Sequence, residues 1–510
     1  DGPDERGGLP RGWAWANLGE ILPLEYGKAL PERDRTSSGT IPVYGSAGIV
    51  GRHSSAITYA PTIVVGRKGS AGSVYLEKSP CWPIDTAYFT APLGDLHLEY
   101  CYHLLRSLRL SRLDQSTAVP SLGRDNYNKV WIRLPPAPEQ RRIAEKIDEL
   151  FGEIEAGEQE LEKAREGLAA YRRSLLKAAV TGQLTREWRE KNPPTETGAD
   201  LLKRILVERR AAWERAELAK LEEKGKKPKD DGWKARYVEP APPDTSDLPD
   251  LPPGWVWISL DHIAVKMTSG SRAWASYYDR GECVFIMAQN VRPGRFDRSH
   301  RQYVDPPLDD PERQRTNVEK ADILITIVGA NTGDVCRVDV ELRDHFVCQS
   351  VALIRLVNPE LAGFVETYLL AKDGGQRDFA KYIYGAGRPH LSFDQLRSVR
   401  IPLPPVEEQA AIVEVCDGVI AIIEQLEHES LGARSDAARL RQSILAAAFS
   451  GKLVPQDPND EPAGVLLERL RAAKAEAAGA TNKRKVAAAT GKPSRAGRKP
   501  RKTAVEELAK

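Results

Sequence analysis

Two segments of the chain share a hydrophobic pattern with helical spacing. In each segment, apolar or small residues recur at alternating steps of four and three positions. The first segment carries them at Ile143, Ile147, Leu150, Ile154, Gly157, Leu161, Ala164, Leu168, Tyr171, Leu175 and Ala178. The second carries them at Ile412, Cys416, Val419, Ile423, Leu426, Ser430, Ala433, Ala437, Leu440, Ile444 and Ala447. A repeat of period 3.5 over about five heptads is typical of a coiled coil, so the pattern predicts two long helices with apolar seams.

The two segments are copies of one another. Residues 134–184 align without a gap with residues 403–453, and both copies open with Pro-Pro-x-x-Glu-Gln and end with Gly-x-Leu. A residue before proline is biased away from the helical conformation, and glycine often ends a helix. We therefore expect one long helix in 135–184 and another in 404–453. At about 1.5 Å per residue, each would be on the order of 55–60 Å long.

The most economical partner for one helix is the other. Antiparallel pairing about a centre near position 295 would place Leu150 beside Leu440 and set other large residues against small ones, for example Ile154 beside Ala437 and Ile412 beside Ala178. Parallel or intermolecular pairing also satisfies the pattern, as do two amphipathic helices buried in separate cores. The sequence leaves these alternatives open.

The regions before the two helices are also related, because the opening motif LPRGWAW at 9–15 returns as LPPGWVW at 251–257. Short β-like runs follow at 41–44, 62–66 and 74–76, and in the second region at 284–288, 323–328, 335–338 and 351–356; helices are expected at 98–113 and 361–372. The pattern predicts an α+β fold with two similar domains of mixed β-sheet and helices, at 1–134 and 251–403. Residues 185–250 are expected to form a charged helical stretch to position 223 and then an exposed linker. Residues 454–510 form a C-terminal segment with a basic tail predicted to be disordered.

Composition narrows the class of protein without identifying a ligand. The chain has 510 residues, of which 41% are hydrophobic and 29% charged, with no apolar run of about 18 residues and no signal-peptide pattern, so we expect a cytoplasmic protein. Six scattered cysteines without a CxxC pair favour a reducing compartment and argue against a zinc or other metal site. The net charge of +2 is weak evidence for nucleic acid.

The paired motifs resemble the type I restriction-modification DNA specificity (S) subunit. The residues that carry the resemblance are Trp13, Trp15, Trp255 and Trp257 in the openings, the two Pro-Pro-x-x-Glu-Gln and Gly-x-Leu motifs, and the central segment 226–234. The resemblance implies that two target-recognition domains each read one half of a bipartite site in double-stranded DNA. It also implies that the two long helices set the spacing, and two reading domains need to lie about 34–36 Å apart, or a multiple of this, to face one side of the duplex.

The resemblance also implies partners and cofactors. Two adenine-N6 methyltransferase (M) subunits would dock on the chain, joined for cleavage by ATP-driven restriction (R) subunits. S-adenosylmethionine, ATP and Mg²⁺ are then expected on those partners, with no cofactor in this chain. The partner-binding candidates are the helix entrances, at Glu139, Gln140, Glu408 and Gln409.

Candidate DNA contacts are basic and aromatic residues in Gly-, Ser- and Pro-rich surroundings, where arginine can bind guanine or phosphate. In the first domain they are Arg33, Arg35, Arg52, His53, Arg67, Lys68 and Arg124. In the second they are Arg272, Trp274, Tyr277, Tyr278, Arg292, Arg295, Arg298, Arg301 and Arg388. The alternative for each is a solvated surface side chain, and the series from Arg292 to Arg301 is the strongest candidate.

The motifs that resemble catalytic or phosphate-binding sites are incomplete. Residues 192–195 (NPPT) and 305–308 (DPPL) lack the aromatic residue with which amino-methyltransferases stack a flipped base. The glycine-rich segments 66–72 and 329–333 do not match GxxxxGK[ST] and are better explained as tight turns. The sequence therefore predicts a non-catalytic subunit with no catalytic residues. The competing hypotheses are a self-sufficient DNA-modifying enzyme and a scaffold that binds only protein.

Overall fold

The computed structural model describes residues 8–36, 38–59, 61–92, 94–113, 120–228, 230–270, 273–383, 389–472 and 474. It divides into two compact units. The first unit comprises Asp1–Glu160 and Gly432–Lys510, and the second comprises Leu161–Leu431. Each unit therefore combines one sheet domain with part of each long helix. The predicted basic tail lies beyond the described residues.

The first unit contains nine strands and the beginning of the first long helix among its described residues. Its elements are β1 (Ala14–Asn17), α1 (Leu18–Ile21), β2 (Glu25–Tyr26), β3 (Ile41–Gly45), β4 (Gly48–His53), β5 (Thr62–Gly66), β6 (Val74–Glu77), β7 (Trp82–Pro83), β8 (Ala87–Thr90), α2 (Leu98–Ser107), α3 (Arg124–Asn128), β9 (Trp131–Leu134) and α4 (Ala137–Val180), with 3₁₀ turns at Glu32–Asp34 and Leu110–Leu113. The strands form a four-stranded sheet in the order β2-β8-β5-β6, a three-stranded sheet β4-β3-β7 and the antiparallel pair β1-β9.

The second unit begins with the remainder of α4. It continues with α5 (Arg186–Lys191), α6 (Gly198–Glu223), β10 (Val256–Ser259), α7 (Leu260–Ile263), β11 (Ala264–Ser269), β12 (Tyr278–Ile286), β13 (Val291–Arg292), β14 (Arg295–Phe296), β15 (Gln302–Val304), α8 (Pro311–Thr316), β16 (Ile323–Thr326), β17 (Val335–Arg337), β18 (His345–Val347), β19 (Val351–Leu356), α9 (Ala362–Leu370), α10 (Gly375–Ile383), α11 (Phe393–Arg397), β20 (Arg400–Leu403) and α12 (Val406–Ala448). Further 3₁₀ turns span Asp231–Arg236, Ala273–Tyr277, Ala288–Asn290 and Pro359–Leu361.

The two sheet domains share one topology. In the second unit the four-stranded sheet runs β11-β19-β16-β17, the three-stranded sheet β15-β12-β18, and β10 pairs with β20. Each strand occupies the position of its counterpart in the first unit, and the three-stranded sheets both join one antiparallel and one parallel pair. The second unit adds the short hairpin β13-β14. The predicted α+β fold, with two related sheet domains and two long helices, is confirmed.

Several predicted elements differ in extent. The helix expected at 98–113 ends at Ser107, because Arg109 adopts a left-handed conformation with φ of 46°, and a 3₁₀ turn follows. Residues 185–223 form two helices, α5 and α6, because Pro193 and Pro194 interrupt the helical segment.

The two long helices are antiparallel. In the first unit, Trp13 contacts the start of α4 through Glu139 and lies against Gly451, just beyond the end of α12. Further along α4, Glu158 accepts two hydrogen bonds from Arg441 at 2.7 and 2.8 Å, so α12 runs in the opposite direction. In the second unit, Arg172 donates to Glu424 at 3.3 Å.

The predicted register of this pair is wrong. Pairing about position 295 would set Glu158 beside Gly432 and Arg172 beside Gly418, but their partners lie nine and six residues further along α12. Leu426 and Leu440, expected to be covered, are 43% and 51% exposed. A uniform heptad pattern permits several registers, and the ion pairs and the packing of the helix ends select this one. Coiled-coil packing of the helices stays a prediction.

The helix ends are buried and their middle portions are largely exposed. In the first unit, Ile143 and Ile147 of α4 join Ile444 and Ala448 of α12 in one core with the sheet domain. In the second, Leu175 and Ala179 join Ile412 and Cys416 in the corresponding core. Burial of each large aliphatic side chain contributes about 1.5–3 kcal/mol, which anchors each sheet domain to the helices. No helix among the described residues is long and apolar enough to cross a membrane.

Candidate nucleic-acid interface

The repeated motifs meet where each sheet domain joins the helices. In the second unit, the indole Nε1 of Trp255 donates to Glu408 at 2.8 Å. Arg189 donates to the same carboxylate at 2.7 and 2.9 Å, and the hydroxyl of Thr185 donates at 2.7 Å. Gly182 ends α4 at a φ of +70°, where an added Cβ would lie 2.5 Å from the Pro252 ring. We call these five residues and Pro252 the second junction.

The first junction has the same frame. The indole Nε1 of Trp13 donates to Glu139 at 3.0 Å, and Gly451, at a φ of +75°, lies where a Cβ would be 2.5 Å from the Pro10 ring. Among the described residues, the second donor to Glu139 is the neutral amide of Gln456, at 3.3 Å. Burial raises the pKa of the Glu139 carboxyl above its ordinary value, and the hydrogen bonds from Gln456 and Trp13 lower it in part.

The four predicted partner-binding residues lie inside these junctions. Glu139, Gln140, Glu408 and Gln409 are all buried. The two glutamine amides donate to the carbonyls of Pro135 and Pro404, at 3.0 and 2.8 Å, and so brace the Pro-Pro turns. In this structure the four side chains fasten the sheet domains to the helices rather than forming a surface. Their predicted direct contact with a partner stays a prediction.

The first sheet domain carries an exposed stack of one aromatic ring and two arginines. The guanidinium carbons of Arg67 and Arg124 each lie 5.1 Å from the centroid of the Tyr26 ring, which is 51% exposed. Arg67 also donates to the carbonyl of Asp85 at 2.9 Å, and Lys68 follows it in an exposed turn. Among the described residues, neither arginine forms an ion pair, so the stack presents uncompensated positive charge. Sequence reasoning found both arginines but missed Tyr26, because the three residues come from separate segments.

The other candidates of the first domain lie around the β3-β4 hairpin. Arg35 donates to the carbonyls of Leu30 and Val50, and Arg52 donates to the carbonyl of Thr40 at 3.1 Å. The ring of His53 packs edge-on against Trp82, while Arg33 is exposed and lies 3.8 Å from Asp34. The bonds of Arg35 and Arg52 stabilise the hairpin, so these two side chains have structural roles.

The arginine series of the second domain is brought together on one hairpin and the loop that follows it. Arg292 and Arg295 face each other across the β13-β14 turn, in which Gly294 has a φ of +72°. The buried amide of Asn290 donates to the carbonyls of Asp297 and His300, at 2.8 and 2.7 Å, which fixes the loop. This loop exposes Arg298 and Arg301, whereas Arg295 lies 3.5 Å from Asp297.

Three other candidates in the second domain lie away from the surface or only partly on it. Trp274 is wholly buried and its indole donates to Asp310 at 2.8 Å, so its assignment as a DNA contact is wrong. Its ring fills the core beside Phe285 and Phe346. Tyr277 and Tyr278 are half-buried against the same core. Arg272 and Arg388 lie outside the described residues.

The glycine-rich segments form the tight turns predicted for them. Gly72 donates its amide to the carbonyl of Gly66 at 2.8 Å, and Gly333 donates to that of Thr326 at 2.9 Å. Both glycines have a positive φ, of +81° and +101°. All six cysteines are free thiols, and no cluster of potential metal ligands occurs among the described residues.

Comparison with known proteins finds type I restriction enzyme specificity subunits that are similar to most of the chain. The chain is 23% identical over 495 residues to the type I restriction enzyme EcoDI specificity subunit of Escherichia coli, covering 94% of this chain and 99% of that protein. It is 26% identical over 402 residues to the EcoBI specificity subunit of the same species, covering 76% and 74%.

The fold has a solved counterpart. A chain from work on complex assembly and conformational transition of the type I R-M system superposes with a TM-score of 0.58, at 18% identity, covering 88% of this chain and all of that one. The family described as type I restriction modification DNA specificity domain matches residues 10–163 and 311–431, which together make up more than half of the sequence. This chain therefore belongs to the family of type I restriction-modification DNA specificity subunits.

Proposed function

We propose that the chain is the sequence-specific DNA-binding subunit of a type I restriction-modification enzyme. Each sheet domain reads one half of a bipartite target in double-stranded DNA, and the two long helices set the spacing between the halves. The observation that supports this proposal most directly is the duplication: two domains of one topology, each fastened by the same Trp–Glu and Gly–Pro junction to the long helices.

The chemistry would belong to partner subunits. In this proposal two methyltransferase subunits dock on the chain, restriction subunits join them for cleavage, and these partners hold S-adenosylmethionine, ATP and Mg²⁺. The exposed face of α12 supports docking in the second unit, because Val415, Ile422 and Leu426 are 43–59% exposed on one side of the helix. The chain itself performs recognition, in the cytoplasm.

A domain exchange tests the proposal. Residues 256–403, from β10 to β20, are replaced by the corresponding segment of a relative with a different target, which leaves Trp255 and Glu408 of the second junction in place. Sequencing of DNA selected from a random duplex library is expected to show one half-site changed, with the other half-site and the spacing retained. The matched exchange of 14–134 should change the other half-site alone.

Two results would contradict the proposal. One is an exchange that rewrites both half-sites. The other concerns the hypothesis of a self-sufficient enzyme: methyl transfer from labelled S-adenosylmethionine to DNA by the purified chain, without any partner, would show that catalysis resides here.

A further inference from the structure

One strand position is structurally equivalent in the two sheet domains but carries different residues. Tyr26 pairs with Tyr88, which pairs with Val65 on the next strand. In the second unit, Ser269 pairs with Ala352, which pairs with Ile325 on the next strand. Since the strand orders correspond, Ser269 occupies the position of Tyr26.

The loop beside this strand pair confirms the correspondence. The amide of Leu122 donates to the carbonyl of Arg67 at 2.9 Å, and the amide of Leu391 donates to that of Ile327 at 3.0 Å. Isolated bridges join Lys68 to Ser121 and Val328 to His390. Ile327 therefore corresponds to Arg67, and Phe393, two residues after Leu391, corresponds to Arg124. We call these equivalent positions the first and second edge sites.

The first edge site is filled by its own side chains. Arg67 and Arg124 both pack on the Tyr26 ring, and the two cations remain free of carboxylates among the described residues. Arginine is the side chain that binds the O6 and N7 atoms of guanine in two parallel hydrogen bonds, and it also binds phosphate. This site is therefore suited to guanine or to the DNA backbone.

The second edge site is open. Ser269, Ile327 and Phe393 stand where the first domain has Tyr26, Arg67 and Arg124, so this site lacks the stacked ring and both cations. Ser269, Ile327 and Phe393 line a cavity of about 750 Å³. Gln349, Ser350 and His390 line it with polar groups, and Phe393 lines it with an aromatic ring. Gln349 and His390 are both exposed, and neither side chain forms a hydrogen bond to another described residue. The cavity is within the range of roughly 300–1,000 Å³ found for ligand sites.

We propose that the second edge site is a base-reading site in which Gln349 and His390 contact base edges of the half-site read by the second domain. Glutamine binds the N6 and N7 atoms of adenine with its donor and acceptor, so Gln349 selects adenine. The first domain uses Arg67 and Arg124 at the same position, so the two domains read different bases with one framework. This inference rests on the proposed function, because it assigns specificity residues to that DNA contact.

The test is DNA selection from a random duplex library by the full chain carrying Gln349→Glu. A carboxylate accepts from the N4 group of cytosine and cannot donate to adenine N7. We expect one position to change from adenine to cytosine, in the half-site that the domain exchange assigns to 256–403. We expect Gln349→Ala with His390→Ala to reduce discrimination at the contacted positions roughly 5- to 150-fold, with the other half-site unchanged.

The matched control is Gln314→Ala, an exposed glutamine on α8 of the same unit. It should leave both half-sites and all preferences unchanged. Thermal unfolding of each variant establishes that it folds. A double variant that folds and retains wild-type discrimination at every position overturns the assignment of Gln349 and His390. A wild-type chain that selects no bipartite motif overturns the proposed function itself, so the two failures are distinguishable.

Discussion

The two junctions share the same Trp–Glu and Gly–Pro contacts, but different groups donate hydrogen bonds to their buried carboxylates. At the second junction, Glu408 accepts hydrogen bonds from the charged guanidinium of Arg189 as well as from Trp255 and Thr185. At the first, the two described donors to Glu139, Trp13 and Gln456, are both neutral, while the nearby guanidinium of Arg142 donates to Asp460 instead. In the sequence repeat, Pro458 stands at the position equivalent to Arg189 and Val454 at that of Thr185.

This difference separates what the repeated motif determines from what its surroundings determine. The tryptophan, the glutamate and the helix-ending glycine set the geometry of both junctions, and they are identical in the two copies. The residues that compensate the charge of the buried carboxylate lie beyond the helix end, and these residues differ between the two copies. A buried carboxylate without a hydrogen-bonded cation carries a desolvation cost, and burial raises the pKa of Glu139 although the charge of nearby Arg142 lowers it in part. We therefore expect equal substitutions at the two junctions to have unequal effects.

Glu408→Gln should produce the largest effect. The substitution keeps an acceptor for Trp255 but leaves the Arg189 guanidinium without its anion, and the Arg189 side chain is only 16% exposed. Breaking a buried ion pair by removing one partner costs about 3–5 kcal/mol, and the residual exposure of Arg189 reduces this to about 2–4 kcal/mol. Urea unfolding measures the loss. Hydrogen exchange should locate it in 182–198 and 252–257.

Arg189→Ala in the Glu408→Gln background provides the control. If the unpaired guanidinium causes the loss, removing it should recover part of the stability. A double variant as unstable as the sum of the two single variants would show that Arg189 and Glu408 act independently, and the contrast between the junctions would then have another origin.

Gly182→Ala and Gly451→Ala test the part of the frame that the junctions share. Both glycines have a left-handed φ, and at both an added Cβ would lie 2.5 Å from a proline ring, so each change should cost about 1–3 kcal/mol. The cost should be larger at Gly182, because its Cβ would also lie 2.7 Å from the Arg189 guanidinium, which bonds the Gly182 carbonyl. Gly157→Ala, with open space around it in α4, should instead stabilise by up to about 1 kcal/mol. Equal thermal shifts for all three would contradict this account.

Much of the fold could be predicted from the sequence because its signals are local. The proline and glycine motifs located both long helices, and runs of β-branched residues located β5, β16 and β19. The helix register could not be predicted, because the seam repeats uniformly and the contacts that choose the register, such as Glu158 with Arg441, involve polar positions outside it.

The candidate interface was harder to predict because its contacts join distant segments. Trp274 lies among glycine, serine and arginine in the sequence, which favours an exposed loop, yet its ring fills the core and only its Nε1 reaches a partner. Conversely, nothing around Tyr26 indicates that Arg67 and Arg124 stack on it. The matching strand pairing of the two domains identifies the second edge site, where Ser269, Ile327 and Phe393 stand in place of this stack.

Glu139→Gln should have the smallest effect, and its sign should depend on pH. The amide retains an acceptor for Trp13, so we expect a change of less than about 1 kcal/mol at pH 4.5, the ordinary pKa of the carboxyl. Because the pKa is raised in the folded protein, the proton on Glu139 contributes stability that is fully present below pH 4.5 and is lost as the pH rises through the raised value. Glutamine does not lose this contribution, so the variant should gain stability relative to the wild type as the pH rises from 4.5 towards neutrality. Urea unfolding at several pH values in this range measures the trend. A stability difference that stays constant or falls would contradict the contrast between the junctions, because the neutral donors would then stabilise the charged form of Glu139 as well as Arg189 stabilises that of Glu408.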